Sequence, residues 1–333
     1  MANNYPIEVI PAAAINEIIA ASPAIIIDTI GCESIPEAIA NLYSCMPSRK
    51  KIYYTRPGIN QLAAVLERTS SLGIPAIALC GNQIPSLDKI LPGKRFSASL
   101  VAPGSSCEGT TVREQLFANP ALADFSLIGY QSYRTNPREL QELRDKSFEE
   151  IRLGVLREGI SLAEPLLRTK EYIFLDIRSV RTSDLPDNPT KSPNGLYAEE
   201  VCQLARYIGM GQQLKFLFIF GIPGGSKPKD VTVQMVSEIT WHVVEALSAN
   251  IDENPGDPAK EELFLKKIVS MGQDGQDLVF VTSRSTGRWW MEVPDIKNSE
   301  NLCIPCSFAD YSTACSGEVP LRWLFFFQKI NPN

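Results

Sequence analysis

The chain has 333 residues, 44% hydrophobic and 21% charged. That is ordinary globular composition, long enough for one large domain with an appendage or for two domains. With 32 Lys and Arg against 38 Asp and Glu, the net charge is −6, which argues against non-specific binding to nucleic acid or an anionic membrane surface.

The N-terminal stretch MANNYPIEVIPAAAINEIIAASPAIIID carries no Lys or Arg ahead of its apolar segments, so no secretory leader is expected. Residues 62–66 place Leu62, Val65 and Leu66 at helical spacing. Ser70, Ser71 and Gly73 end that helix, and 74–79 reads as a short apolar strand. The rhythm repeats: a strand at 126–130, a helix at 137–144, and a strand at 172–176 followed by a long polar loop to Asn194-Gly195. A helix at 197–208, a strand at 214–220 and a long amphipathic helix at 231–247 complete it. Alternating helices and nearly all-apolar strands predict a parallel sheet covered on both faces. After Asn250 the polar connector NIDENPGDPAKEE intervenes. The tail then reads as strands and turns (263–269, 278–282 and 288–293) and closes on the aromatic run 323–327. The expected organisation is an α/β domain over 1–250 and a strand-rich C-terminal extension over 251–333 packed on it. No run approaches the ~20 apolar residues of a membrane span, and eight scattered Cys fit a reduced, cytoplasmic chain.

The chain contains one histidine, His242. Imidazole is the commonest protein ligand for borderline divalent metals, so a catalytic metal site here would have to be built from carboxylates or thiolates.

Residues 171–210, EYIFLDIRSVRTSDLPDNPTKSPNGLYAEEVCQLARYIGM, set a strand ending in Asp176 before a loop with Ser183-Asp184 and 192–195, SPNG. A helix opening on Tyr197-Ala198-Glu199-Glu200 follows. This stretch resembles the arginase/agmatinase/formimidoylglutamase family, the ureohydrolases, and in particular its formimidoylglutamase-like branch in bacteroidete bacteria. The tail RWWMEVP, with Pro305-Cys306-Ser307 and Asp310-Tyr311, is similar to the C-terminal extension of that branch. The resemblance spans roughly residues 50–330 and is more specific in its second half. It implies a three-layer α/β/α fold with a mostly parallel sheet, the arginase-like fold. It also implies two manganese ions at the C-terminal sheet edge that activate a bridging water, and homo-oligomerisation.

The family's metal-binding elements are degenerate here. Where Gly-Gly-Asp-His-Ser is expected, the chain reads Cys80-Gly81-Asn82-Gln83-Ile84, so Gln83 stands at the His position. Where Asp-Ala-His-x-Asp is expected, it reads Ala102-Pro103-Gly104-Ser105-Ser106. Asp-x-Asp has become Asp176-Ile177-Arg178, and the acidic residue expected after strand 214–220 falls in Gly221-Ile222-Pro223-Gly224. Gln83, Asp176 and Arg178 are therefore former metal-site positions. Two residues apart on a strand, Asp176 and Arg178 would face one side. Arg178 then either neutralises Asp176 in place of a metal or points into solvent.

Other constellations are weaker. Cys303-x-x-Cys306 with Cys315 opens like a zinc site, whose fourth ligand would have to be Asp310 or His242; reduced thiols are the simpler reading. The strand–loop 218–227, FIFGIPGGSK, departs from the phosphate-binding pattern at Ser226 and Pro228. His242 lacks a nucleophile pattern and reads as half-buried, and Glu199-Glu200 read as first-turn acids. Arg288, Trp289 and Trp290 are the candidate interaction surface, with strand alternation sending the two Trp to opposite sides.

The sequence therefore predicts a catalytically inactive, metal-free ureohydrolase-like protein with no cofactor, acting as a protein-interaction or scaffold subunit for an unknown protein partner. Two alternatives stand beside it. One is an active hydrolase of formimidoyl or guanidino substrates, with Asp184 or Asp187 converging on Asp176. The other is a small-ligand sensor using the old pocket.

Overall fold

The computed structural model describes residues 6–17, 22–44, 51–82, 84–104, 111–225, 227–249, 252–272 and 277–331. The chain divides into two units, 1–250 and 251–333.

The first unit contains nine described strands: β1 (Ile7–Ile10), β2 (Ile25–Asp28), β3 (Ile52–Thr55), β4 (Ala76–Leu79), β5 (Phe96–Val101), β6 (Leu122–Tyr130), β7 (Glu149–Arg152), β8 (Tyr172–Asp176) and β9 (Phe216–Phe220). They form one sheet in the order β1-β3-β2-β4-β9-β8-β5-β6-β7, with every neighbouring pair parallel. The helices between them are α1 (Ser34–Ala40), α2 (Leu62–Ser71), α3 (Val112–Ala118), α4 (Pro137–Asp145), α5 (Leu153–Glu158), α6 (Glu164–Leu167), α7 (Ala198–Gly209) and α8 (Asp230–Ala249).

Every residue of β2, β4, β8 and β9 is buried, as a sheet covered on both faces requires. The period of two sorts these side chains into two cores. On one face Ile77, Ile173, Leu175, Leu217 and Ile219 pack with residues of α1, α7 and α8. On the other, Ala76, Ala78, Phe174, Phe216 and Phe218 pack with residues of α2, α3 and α4. Phe174 and Phe218 stack at 5.1 Å between ring centroids. The result is a three-layer α/β/α arrangement. Helices α7 and α8 meet through Gly209, where a Cβ would lie 2.3 Å from the Val243 carbonyl oxygen.

The second unit is an antiparallel sheet, β10 (Phe264–Val269), β11 (Leu278–Ser283), β12 (Trp289–Asp295) and β13 (Glu300–Cys306), paired in sequence order. It carries α9 (Phe308–Cys315) and α10 (Leu321–Ile330). The strands expected at 263–269, 278–282 and 288–293 fall on β10, β11 and β12, and the aromatic run 323–327, to which the sequence assigned no element, is helical. Trp323 and Phe327, four residues apart, stack at 5.1 Å, and the Trp323 indole donates to the Glu292 carbonyl at 3.0 Å. The run supplies aromatics at helical spacing, and Pro320 precedes the first turn where a missing N–H costs nothing.

Candidate functional site

In the sheet order, β4, β9, β8 and β5 are successive neighbours. Their C-terminal ends run into the four segments where the family resemblance places metal ligands: 80–82, 221–224, 176–178 and 102–104. Backbone pairing continues past two of these tips, with the Gly221 N–H donating to the Gly81 carbonyl at 2.9 Å and the Ile222 N–H to the Cys80 carbonyl at 3.3 Å. Gln83 lies outside the described residues.

Asp176 ends β8 and is 2% exposed. Arg178 is not on the strand, as same-face reasoning assumed, but in a 3-10 turn over Ile177–Ser179. Asp176 caps that turn, its Oδ1 accepting the Arg178 backbone N–H at 3.0 Å. The turn folds the guanidinium back over the carboxylate. Nε then donates to Oδ1 at 2.7 Å and Nη2 to Oδ2 at 2.9 Å, the two-pronged geometry that makes Arg–carboxylate pairs strong. The Arg178 Cζ also lies 5.7 Å from the centre of the Phe220 ring. The next residue, Gly221, has φ +74°, and a Cβ there would sit 2.7 Å from both Arg178 Nε and Asp176 Oδ1. Absence of a side chain at 221 is what admits the pair.

A pocket lies above it, with Asp176, Arg178 and Phe220 among its lining residues and Leu100, Leu127 and Val112 on its walls. Arg113 also borders it. Its guanidinium is hydrogen-bonded to Glu142, lies 3.9 Å from Glu139, and sits 4.4 Å above the Phe117 ring.

The carboxylates that a rebuilt hydrolase would need are engaged elsewhere. Asp184 accepts from Arg181 Nε at 2.7 Å and from the Ala198 N–H at the start of α7 at 3.0 Å. Asp187 accepts from the Thr232 hydroxyl at 2.6 Å. The loop that carries them is not a loose surface segment: Leu185, Asn188 and Ser192 are buried, and Asn188 donates to the Arg178 and Val180 carbonyls.

The described residues do not fit a dinuclear manganese centre. Both oxygens of Asp176 are held by a guanidinium. The other polar lining groups include the Asn82 amide, the Thr111 and Thr135 hydroxyls and Glu139, which lies beside Arg113. Among the described residues, no group of three or more His, Cys, Asp and Glu is arranged to hold a metal. His242 sits on α8, edge-on to Trp241 at 4.8 Å, and burial, with Arg206 nearby, pushes its pKa down.

The remaining candidates resolve as follows. Cys303 and Cys306 lie three apart on β13, hence on opposite faces, and belong to separate apolar clusters. Glu200 closes the N-terminus of α7, accepting the Tyr197 N–H at 2.8 Å. Around the 218–227 loop, Gly224 and Gly225 have positive φ, and Ser226 lies outside the described residues. In the second unit, Trp290 is buried against Phe264, and Arg288 is buried with its Nη1 3.4 Å from Glu253. Trp289 is half-buried and stacks on Tyr311 at 4.7 Å. Arg288, paired with Glu253 of the connector, and Trp290, packed on Phe264 and Val281 of the sheet, thus build the interior of this unit rather than a surface.

Sequence reasoning missed a second acid at a strand tip. Asp28 ends β2 and is 1% exposed. It accepts from the Ile30 and Gly31 N–H groups and the Tyr54 hydroxyl, with Arg56 Nε 3.4 Å away. Burial, and then Asp28 itself, push the Tyr54 hydroxyl pKa well up, so it stays a donor. The legible signal was the run IIID before Gly31, which has the same apolar-strand-then-Asp form as 172–176.

No protein-family model matches the chain, and no curated protein matches it. Solved structures do. A formiminoglutamase from Trypanosoma cruzi, in a structure with manganese, superposes with TM-score 0.59 at 16% identity over 69% of this chain and 94% of that one. A formimidoylglutamase from Bacillus subtilis gives 0.55 at 11% identity, covering 68% and 87%. An agmatine ureohydrolase from Thermoplasma volcanium gives 0.52 at 14%, covering 68% and 90%. With the parallel nine-strand sheet, the flanking helices and these superpositions together, the chain has an arginase-like fold.

Proposed function

We propose that this chain is a ureohydrolase-fold protein without metal-dependent hydrolysis, acting through binding as a protein-interaction or scaffold subunit. The observation that carries this reading is the fork between Arg178 and Asp176. Water activation in a dinuclear site needs anionic or imidazole donors free to reach the ions. Here the strand-tip carboxylate is closed by a cation of the chain itself. A further unit charge at ~4 Å from the guanidinium would be opposed by about 4 kcal/mol at an effective dielectric of ~20. The engagement of Asp184 with Arg181, and of Asp187 with Thr232, counts against a rebuilt hydrolytic site.

The scaffold role is supported by apolar side chains that the second unit leaves in water. Ile268 on β10 is 69% exposed, Phe308 on α9 61% and Leu321 on α10 83%. Phe308 and Leu321, on the two helices of this unit, replace Arg288 and Trp290 as the residues to test.

The test is metal analysis of the purified chain after incubation with manganese, alongside assays for urea and formamide release. Substoichiometric metal and no turnover are expected; stoichiometric manganese with turnover overturns the proposal. For the scaffold role, a protein recovered with the chain in fixed ratio should be lost from the Phe308→Asp/Leu321→Asp variant. Retention of that protein would rule out this surface.

A further inference from the structure

We infer that the pocket over the β5, β8 and β9 tips binds a small, uncharged, largely apolar molecule. The inference rests on the reading that Asp176 is held by Arg178 and not by a metal. Three observations carry it.

The first is charge. Among the described residues, the acids and cations bordering the pocket answer one another: Asp176 with Arg178 at 2.7 Å, and Arg113 with Glu142 and, at 3.9 Å, Glu139. A charged ligand would give up its hydration and meet no uncompensated partner. A cationic one would face the Arg178 guanidinium, which already fills the cationic place beside Asp176. A neutral molecule meets neither penalty.

The second is the wall. Ile84, Leu100, Ala102, Val112, Leu127 and Phe220 give the pocket a mainly apolar lining. Leu100, Ala102, Leu127 and Phe220 are buried side chains fixed by the sheet, so the space is formed before a ligand arrives. Hydrogen-bonding groups are few. Asn82 offers its amide, and Thr135, whose hydroxyl donates to the Gln131 carbonyl at 3.0 Å, keeps acceptor capacity.

The third is size. The cavity volume is ≈ 70 Å³. One water needs about 10–15 Å³ of cavity, so the pocket has room for a small molecule of roughly five to seven non-hydrogen atoms. That is the size of a short branched-chain amide.

The test uses the full chain, with methyl-labelled Leu and Val, in buffer containing a chelator. Isobutyramide, isobutyrate and isobutylammonium are titrated separately, and shifts of the Leu100, Val112 and Leu127 methyl signals are followed. Isobutyramide is expected to move these signals, with both charged analogues at least about tenfold weaker. The Val112→Phe variant, which narrows the pocket at a helix position, should lose the response while keeping its circular dichroism. Should that variant unfold, Leu127→Met, which redistributes the same volume, should change the isobutyramide affinity without removing it. The inference is overturned if an ion binds as well as the amide, if the amide moves only signals outside the pocket, or if no probe binds. Manganese content and turnover are measured on the same preparation. A metal-free, inactive chain that ignores isobutyramide defeats this inference alone, whereas stoichiometric metal with turnover defeats the reading beneath it.

Discussion

Replacing Arg178 with Ala removes the cation from a carboxylate that has almost no access to water. The Asp176 side chain is 2% exposed and the Arg178 side chain 13%, so solvent screens the pair little. The charge centres of a two-pronged pair lie ~4 Å apart, worth about 4 kcal/mol at an effective dielectric of ~20. Breaking such a pair from one side typically costs about 3–5 kcal/mol, since the remaining charge is left buried. In a unit of about 250 residues each kcal/mol corresponds to about 2–4 °C, so Arg178→Ala should lower Tm by about 6–20 °C. The double variant Asp176→Asn/Arg178→Met keeps an acceptor for the Arg178 backbone N–H and removes both charges. It should recover to within about 2 kcal/mol of the parent, because the desolvation cost disappears with the charges. Calorimetry or urea unfolding of the parent, both single variants and the double variant measures this directly. Less than about 1 kcal/mol lost in Arg178→Ala, or a double variant as damaged as the single, would refute the reasoning. The Arg178→Asp variant extends the test. It restores Asp-x-Asp in sequence but adds no imidazole, so it should still not take up stoichiometric manganese.

Other outcomes follow from the same geometry. Gly221→Ala forces a side chain into a left-handed backbone and against the Asp176–Arg178 fork, and should cost at least about 1–3 kcal/mol in urea unfolding. Burial pushes the Asp184 carboxyl up, but hydrogen bonds from Arg181, the Ala198 N–H and Ser183 outweigh it, and its pKa ends below the usual value. Its stabilisation is therefore complete above the unfolded-state value of about 4 and fades as pH falls through the lower folded value. The Tm gap between parent and Asp184→Asn should accordingly be widest near neutrality and close in acid. Among the six described cysteines, burial raises Cys80 and Cys202 to about 12 and Cys303 to about 11, while Cys315 is exposed. Among these six, peptide mapping after brief alkylation at pH 8 should find Cys315 modified first and Cys80 and Cys202 only after unfolding.

Much of the first unit was legible because its physics is local. Short all-apolar segments such as 216–220, alternating with helices of period 3.6, read as strands buried on both faces of a parallel sheet. The strand 172–176 was readable to the residue, because Asp176 marks the point where an apolar run meets water. The missing imidazoles were equally plain, since one His cannot be multiplied by folding. The aromatic run 323–327 carried no element assignment in the sequence, because Trp and Phe favour strands by propensity while the stacking of Trp323 on Phe327 is a helical i,i+4 contact that packing selects.

By itself, then, the sequence determined the layered α/β architecture, through hydrophobic periodicity, and the scarcity of imidazole, through composition. Only the tertiary structure decided the site. It brought β4, β9, β8 and β5 side by side, turned the Arg178 guanidinium back onto Asp176, tied Asp184 and Asp187 to other partners, and buried Arg288 and Trp290. Each of these depends on where a side chain's partners arrive from distant parts of the chain, and periodicity carries no record of that.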